Sequence, residues 1–265
     1  LLVSELKIKV IEAKLGKIIF QKSADSKFGI SEKRAQKYLN KNQFKDKIFN
    51  INNLNKNVQR LDNLAGVKAT ASLQSGEIEG ETDVIVEVSE SELISGNVKA
   101  DNHGSRSSGI ARSTSLVNFN GLFNLGETLT FQNVHTTGSD YYSVGLTIPI
   151  GYSGLTTTIK GSEMDYHLGV PLKSSNADGN SDSLSMTLDF PSFNLKNLTG
   201  SISLGLSNNT YLNRTVSGIS SEKKNFKGNI DFNFNLSDSL FGKDLTPLTP
   251  PKLNCSPESK FFPPY

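Results

Sequence analysis

The sequence predicts two modules of different class: a small α+β domain with the order β-α-α-β-β, then the antiparallel strands of a transmembrane β-barrel. Three observations lead there. Charge is dense at first and then thins, with 28 of the first 92 residues ionic against 26 of the remaining 173. Helical periodicity is confined to that first stretch. Beyond it, polar and apolar residues alternate with the period of a strand that has one greasy face and one wet face. The expected boundaries are 1–92 for the α+β domain, 93–240 for the barrel strands and 241–265 for a proline-rich irregular tail.

The first module is read element by element. In ELKIKVIE, Leu6, Ile8 and Val10 share one face, which predicts a half-buried strand. Ser31 is a candidate N-cap for SEKRAQKYLNKN, where Ala35, Tyr38 and Leu39 form an apolar stripe. Ile51, Leu54, Val58 and Leu61 predict a second helix, with Asn and Lys on its outer face and an end before Gly66. Two strands follow, VKATASLQ and TDVIVEVSE, joined by the turn-rich SGEIEGE. Val67, Ala69, Ala71 and Leu73 share one face of the first; Val84, Val86 and Val88 share one face of the second. Three strands must bury that apolar surface against the helix pair.

In the second module about eight alternating segments begin near Ile94, Gly109, Glu127, Tyr141, Leu155, Ser183, Thr199 and Lys227. Short connectors follow the second, fourth and sixth, while long polar ones are expected near 169–182 and 208–226. That places short turns on one rim and long loops on the other, as in an outer-membrane barrel. Asn97, Lys99, Asp101, Arg112, Asp189, Asp231 and Asn233 fall on the wet face and are candidates to face a water-filled lumen. Tyr141, Tyr142, Tyr152, Tyr166 and Tyr211, near strand ends, are candidates for interfacial girdles. A soluble sandwich shows the same alternation, with the wet face turned to solvent.

Other functional classes find little support. Net charge is +2, and the lysines of residues 1–60 are scattered without interleaved aromatics, so no nucleic-acid partner is expected. Cys255 is the only cysteine and has no partner for a disulfide or a metal cluster. His103, His135 and His167 lie far apart, and no nucleophile elbow, phosphate loop or HExxH motif occurs, so no catalytic residue, metal or cofactor is expected. No apolar run is long enough for a membrane helix.

The run LDNLAGVKATASLQSGEIEGETDVIVEVSE, followed by SGNVKADNHGSRSSG, resembles the junction between the last POTRA domain and the barrel in two-partner secretion transporters. These are the haemolysin-secretion and filamentous-haemagglutinin transporter proteins of the Omp85 superfamily. The resemblance covers about residues 1–240 and is most specific between Leu61 and Gly109. It implies a Gram-negative outer-membrane pore that secretes an unfolded partner exoprotein carrying a secretion domain, in contact with outer-membrane lipid, with the POTRA unit in the periplasm. The family's second POTRA strand is an edge strand beside a helix. Here that strand is Val67, Lys68, Ala69, Thr70, Ala71, Ser72 and Leu73, and Tyr38 and Leu39 are the candidates for the adjoining substrate groove.

The chain departs from the family in showing one POTRA-like unit, about half of the sixteen barrel strands and no VRGY-like loop motif. Six of the nine prolines crowd the last 19 residues. A fragment is therefore expected. An Omp85-type assembly factor, which inserts barrels, and a soluble all-β adhesion module with an α/β domain ahead of it are the alternatives.

Overall fold

A computed structural model of the chain describes residues 14–22, 29–41, 50–167, 169, 177–195, 198–215 and 218–236. The expected strand at 5–12, the tail at 241–265 and Cys255 lie outside these residues. Two compact units are present. The first comprises Leu1–Leu93 with Gly121–Gly126, and the second Ile94–Asn120 with Glu127–Tyr265.

The first unit runs β1 (Lys14–Lys22), α1 (Glu32–Leu39), α2 (Ile51–Asp62), β2 (Val67–Ser75) and β3 (Glu81–Glu90). Its sheet has the order β1-β3-β2, with β1 parallel and β2 antiparallel to β3. Between Leu15 and Ile18 the register of β1 shifts, and the buried Asp83 carboxylate fills the bulge by accepting the Lys17 N–H at 2.7 Å. The core holds Ala35, Tyr38 and Leu39 of α1, Leu54 and Leu61 of α2, Val67 and Ala69 of β2, and Val84, Val86 and Val88 of β3.

Helix α2 departs from its expected apolar stripe in one respect. Asn57, expected on the outer face, is 1% exposed, whereas Val58 is half-buried. Its amide donates to the carbonyls of Leu39 at 3.1 Å and Lys41 at 2.6 Å, so it closes the open C-terminal end of α1. Asn50 caps the other end of α2, its Oδ1 accepting from the N–H groups of Asn52 and Asn53.

The segment Gly121–Gly126 belongs to this unit through main-chain bonds. Gly29 N–H donates to Gly121 O, Gly126 N–H to Gly29 O, and Ser31 N–H to Asn124 O, all at 2.9 to 3.0 Å. Gly121 has φ +66°, and a Cβ there would lie 2.5 Å from Gly29 Cα, so only glycine fits.

The second unit is a meander of antiparallel strands: β4 (Ile94–Asp101), β5 (Arg112–Asn120), β6 (Thr128–Thr136), β7 (Ser139–Ile150), β8 (Leu155–His167), β9 (Asp178–Asp189), β10 (Phe193–Leu195), β11 (Leu198–Thr215) and β12 (Gly218–Leu236). Because β12 pairs with β11 along its whole length, β9 and β10 share the other side of β11 end to end. Pro191, which has no N–H for the ladder, stands at the break between them. Eight ladder positions result.

Two expected connectors are corrected. Residues 208–215 and 218–226 are strand and not loop, since β11 and β12 pair as far as Thr215 opposite Gly218, and 178–182 of the connector expected near 169–182 belong to β9. On the same rim, β6 and β7 join through a tight turn at Thr137 and Gly138, so that rim carries short turns as well as the longer 102–111 segment.

Replacing Asn57 by Ala strands two carbonyls in the first unit. Its unfolding free energy, measured by urea-dependent proteolysis, is expected to fall by about 1–3 kcal/mol. An unchanged midpoint would count against the capping role.

Candidate functional site

Among the described residues strand β2 is an edge of the first sheet, and its register shows which backbone groups are unpaired there. Ala69 N–H donates to Asp62 Oδ1 at 2.9 Å and Val67 N–H to Leu64 O, so the odd-numbered residues point their main-chain groups away from β3. Asp62, at the end of α2, therefore occupies one outward donor and also pairs with Lys68 at 3.3 Å. The outward groups of Ala71 and Leu73 lie further along the same edge. Val67 and Ala69 are buried, but Ala71 is exposed and Leu73 is 48% exposed, so the second half of the strand presents both an open edge and an uncovered apolar face. Lys68, Thr70 and Ser72 are exposed on the opposite face, with their main-chain groups turned toward β3.

The groove residues expected from the sequence need correction. Tyr38 and Leu39 are 1% and 0% exposed and belong to the core, because α1 packs against α2 and β1. The helix beside β2 is α2. Asp62 was not foreseen, since an acidic residue at a helix end has no sequence signature that distinguishes it from a solvated one. Near the β2–β3 turn, the Glu77 carboxylate accepts from the Lys17 ammonium and holds it above the usual lysine range.

In the second unit the strand registers sort the side chains into two faces. One is a continuous apolar surface. A row across it reads Phe119, Leu129, Leu146, Ile159, Met186 and Leu206, and the next reads Val117, Phe131, Val144, Gly161 and Leu184. Among the described residues no Leu, Ile, Val, Phe or Met of this unit is fully buried, and Leu184, Leu206, Ile230 and Phe232 are each more than half exposed. A sandwich would bury this surface under a second sheet.

The other face is polar and bonded across strands. Thr130 Oγ1 donates to Asn118 Oδ1 at 2.9 Å, Ser183 Oγ to Asn209 Oδ1 at 2.6 Å, and Ser203 Oγ to Asp189 Oδ1 at 2.6 Å. Arg112 forks onto both Asp101 oxygens at 3.1 and 3.0 Å. All seven residues read from the sequence as the wet set lie on this face: Asn97, Lys99 and Asp101 on β4, Arg112 on β5, Asp189 on β9, Asp231 and Asn233 on β12. They do not form one cluster. Asp101 and Arg112 meet at one rim, while Asp189 and Asp231 lie near the other, both in register with Ser203.

The tyrosines also divide by face. Tyr142 is on the apolar face, but Tyr141, Tyr166 and Tyr211 share registers with polar-face residues, so they are not girdle residues. The aromatic cluster of the apolar face is built of phenylalanine: Phe193 and Phe234 meet edge to face, Phe232 stacks on Phe234, and Gly200 makes room between Phe193 and Phe234. On the polar face Tyr166 lies across Gly179, where an added Cβ would come within 2.8 Å of the ring, and its hydroxyl reaches Asn213 Oδ1 at 2.5 Å. Asn213 in turn donates to Ser221 Oγ at 3.2 Å, which links β8, β9, β11 and β12. Among the described residues no His, Cys, Asp or Glu side chains gather in threes fit for a metal ion. His135 pairs with Asp140, and His103 lies 3.7 Å from Asp101.

Comparison with known proteins adds to this geometry. A family model described as haemolysin secretion/activation protein ShlB/FhaC/HecB matches residues 80–225, more than half of the chain. Among solved structures, CdiB from Escherichia coli superposes with a TM-score of 0.68 at 15% identity, covering 86% of this chain and 43% of that one. CdiB from Acinetobacter baumannii gives 0.64 at 16% identity, with coverage of 86% and 43%. BamA from Haemophilus ducreyi lacking POTRA domains 1–3 gives 0.56 at 14%, with coverage of 87% and 45%. The chain thus spans less than half the length of these three structures, and these identities speak to the fold alone. No curated protein matches. The two-faced antiparallel sheet and the small α/β unit agree with the family match, and the chain belongs to the haemolysin secretion/activation protein family ShlB/FhaC/HecB.

Proposed function

We propose that this chain is the substrate-capturing unit and part of the pore wall of a transporter that moves an unfolded partner exoprotein, of haemolysin or adhesin type, across a Gram-negative outer membrane. The observation that carries the reading is the pair of faces in the second unit. An apolar surface that no described residue covers suits lipid, and a polar surface bonded to itself suits a water-filled lumen. In this reading Asn97, Lys99, Asp101, Arg112, Asp189, Asp231 and Asn233 face the lumen. The first unit is periplasmic.

Capture is assigned to the open stretch of β2 from Ala71 onward. An extended segment of the exoprotein adds a strand there through main-chain hydrogen bonds, and the uncovered Leu73 gives it an apolar contact. Asp62 limits the docking register by occupying the Ala69 donor. The transport step calls for a path and binding sites, and the reading assigns no bond-making chemistry to the chain. The likeness to BamA keeps a second reading in view, an assembly factor for other barrels. Loss of the intact protein would then deplete unrelated outer-membrane barrels, whereas a transporter defect leaves them at normal levels.

Two experiments test this. Ala71→Pro removes an outward N–H without touching the β2–β3 ladder. In cells making the intact transporter and its exoprotein, export is expected to fall at least about tenfold, as loss of an edge hydrogen bond and of docking geometry combine. The control, Lys68→Ala, leaves export near normal, and equal export from both variants would sink the edge-strand assignment. In the second unit, Ile159→Arg sets a charge on the apolar face and is expected to cost about 2–4 kcal/mol when folding is measured in lipid vesicles. Ser183→Arg on the polar face is expected to be tolerated. The reverse order, or a chain that folds and stays dissolved without detergent or lipid, would overturn the barrel reading.

A further inference from the structure

The connection between β4 and β5 does not stand away from the sheet. Its base is pinned on the polar face by the Arg112 fork onto Asp101, whose Oδ1 also accepts the His103 N–H at 3.0 Å. A serine turn then shapes it: Ser105 Oγ accepts from the N–H groups of Ser107 and Ser108, and Gly109 N–H donates to Ser105 O. From there the segment reaches sideways over its neighbours. Ser108 O accepts from Gly138 N–H at 2.7 Å in the β6–β7 turn and from Thr136 Oγ1 at 2.6 Å, and Ser107 O accepts from Gly169 N–H at 2.6 Å beyond the end of β8.

The direction of this reach follows from register. Thr136 lies opposite Arg112 and Ser139 in the polar row, and its side chain is 7% exposed beneath Ser108. The segment therefore covers the polar side of the rim. Its path is sterically specified, since a Cβ on Gly138 would meet His167 O at 2.5 Å, and one on Gly109, at φ +113°, would meet Thr137.

We propose that residues 102–111 are a strap that narrows the pore mouth at rest and swings aside when the exoprotein passes. This rests on the pore reading above. Among the described residues the tip of the strap is held by hydrogen bonds from Thr136 at the end of β6 and from Gly138 and Gly169 in the neighbouring connections, so it can be released without breaking any strand pairing. No apolar side chain of the strap is buried in the core, which leaves it little to lose on opening.

The test uses the intact transporter in planar lipid bilayers and in secreting cells. Replacing residues 104–109 by a short Gly-Ser link is expected to raise single-channel conductance roughly twofold or more, as the narrowest radius governs conduction. Unchanged conductance in a variant that keeps the heat-modifiable migration of a folded barrel would overturn the constriction. A second variant, Ser107→Cys with Gly169→Cys in a Cys255→Ser background, locks the strap down. Among the described residues an added Cβ at Gly169 meets Ser107 O alone, at 3.4 Å, so a cross-link has room. Oxidation is expected to leave conductance at the parent level and to stop export, and reduction to restore it. Full export through the oxidised lock would overturn the swinging step. An intact parent that conducts no ions would instead refute the pore reading itself.

Discussion

Backbone amide and carbonyl groups that leave water without a partner cost several kcal/mol each, and the second unit is organised around that constraint. Strands in an apolar surrounding must pair along their full length, because no solvent is present to satisfy an unpaired stretch. The meander from β4 to β12 does this between sequence neighbours, while the outer edges of β4 and β12 pair with no described strand. Once the ladder is satisfied, side chains are free to differ by face, and the chain puts most of its Leu, Ile, Val and Phe on one and most of its cross-strand-bonded Ser, Thr, Asn and Asp on the other, with Leu116 and Val134 as exceptions on the polar face. The side-chain bonds of the polar face lie across strands and so reinforce the register that the backbone sets.

The first unit obeys the opposite economy. It buries a conventional core between two helices and three strands, and its main-chain groups at helix ends are met by Asn50 and Asn57. Water can satisfy what is left, so β2 is able to keep an edge open, a liability that most water-soluble sheets cover. Asp62 covers it in part. The result is a strand with a protected beginning and an available end, and that asymmetry supports the capture role proposed for the second half alone.

Much of this was legible in the chain because both signals are periodic. The starts of β4 to β8 and β11 follow from alternation, and the faces of Asn97, Arg112 and Asp231 follow from parity, which a strand cannot violate without a bulge. The stripe of Ala35, Tyr38 and Leu39 likewise marked the buried side of α1. That same burial defeated the groove expectation: a stripe says which residues leave water, and it does not say which partner covers them. The extensions of β11 and β12 were missed because Asn, Ser, Thr and Lys dominate Asn208 to Phe226, and the isolated Tyr211, Leu212 and Phe226 set up no apolar period that announces a strand. Tyrosine type suggested an interface, but parity placed three of the five on the polar face. Asn57 was assigned to solvent on composition, yet its amide was needed where α1 ends, a requirement set by tertiary packing.

The ring of Tyr166 over Gly179, with its hydroxyl on Asn213, also bears on how relatives of this chain can diverge. A side chain at 179 would collide with the ring, and a smaller residue at 166 would leave a gap beside a bare glycine and withdraw one partner from Asn213. Neither position is able to drift alone without a cost. Three residues on three strands, far apart in sequence, are thus bound into one unit of inheritance, and homologues are expected to keep or lose them together.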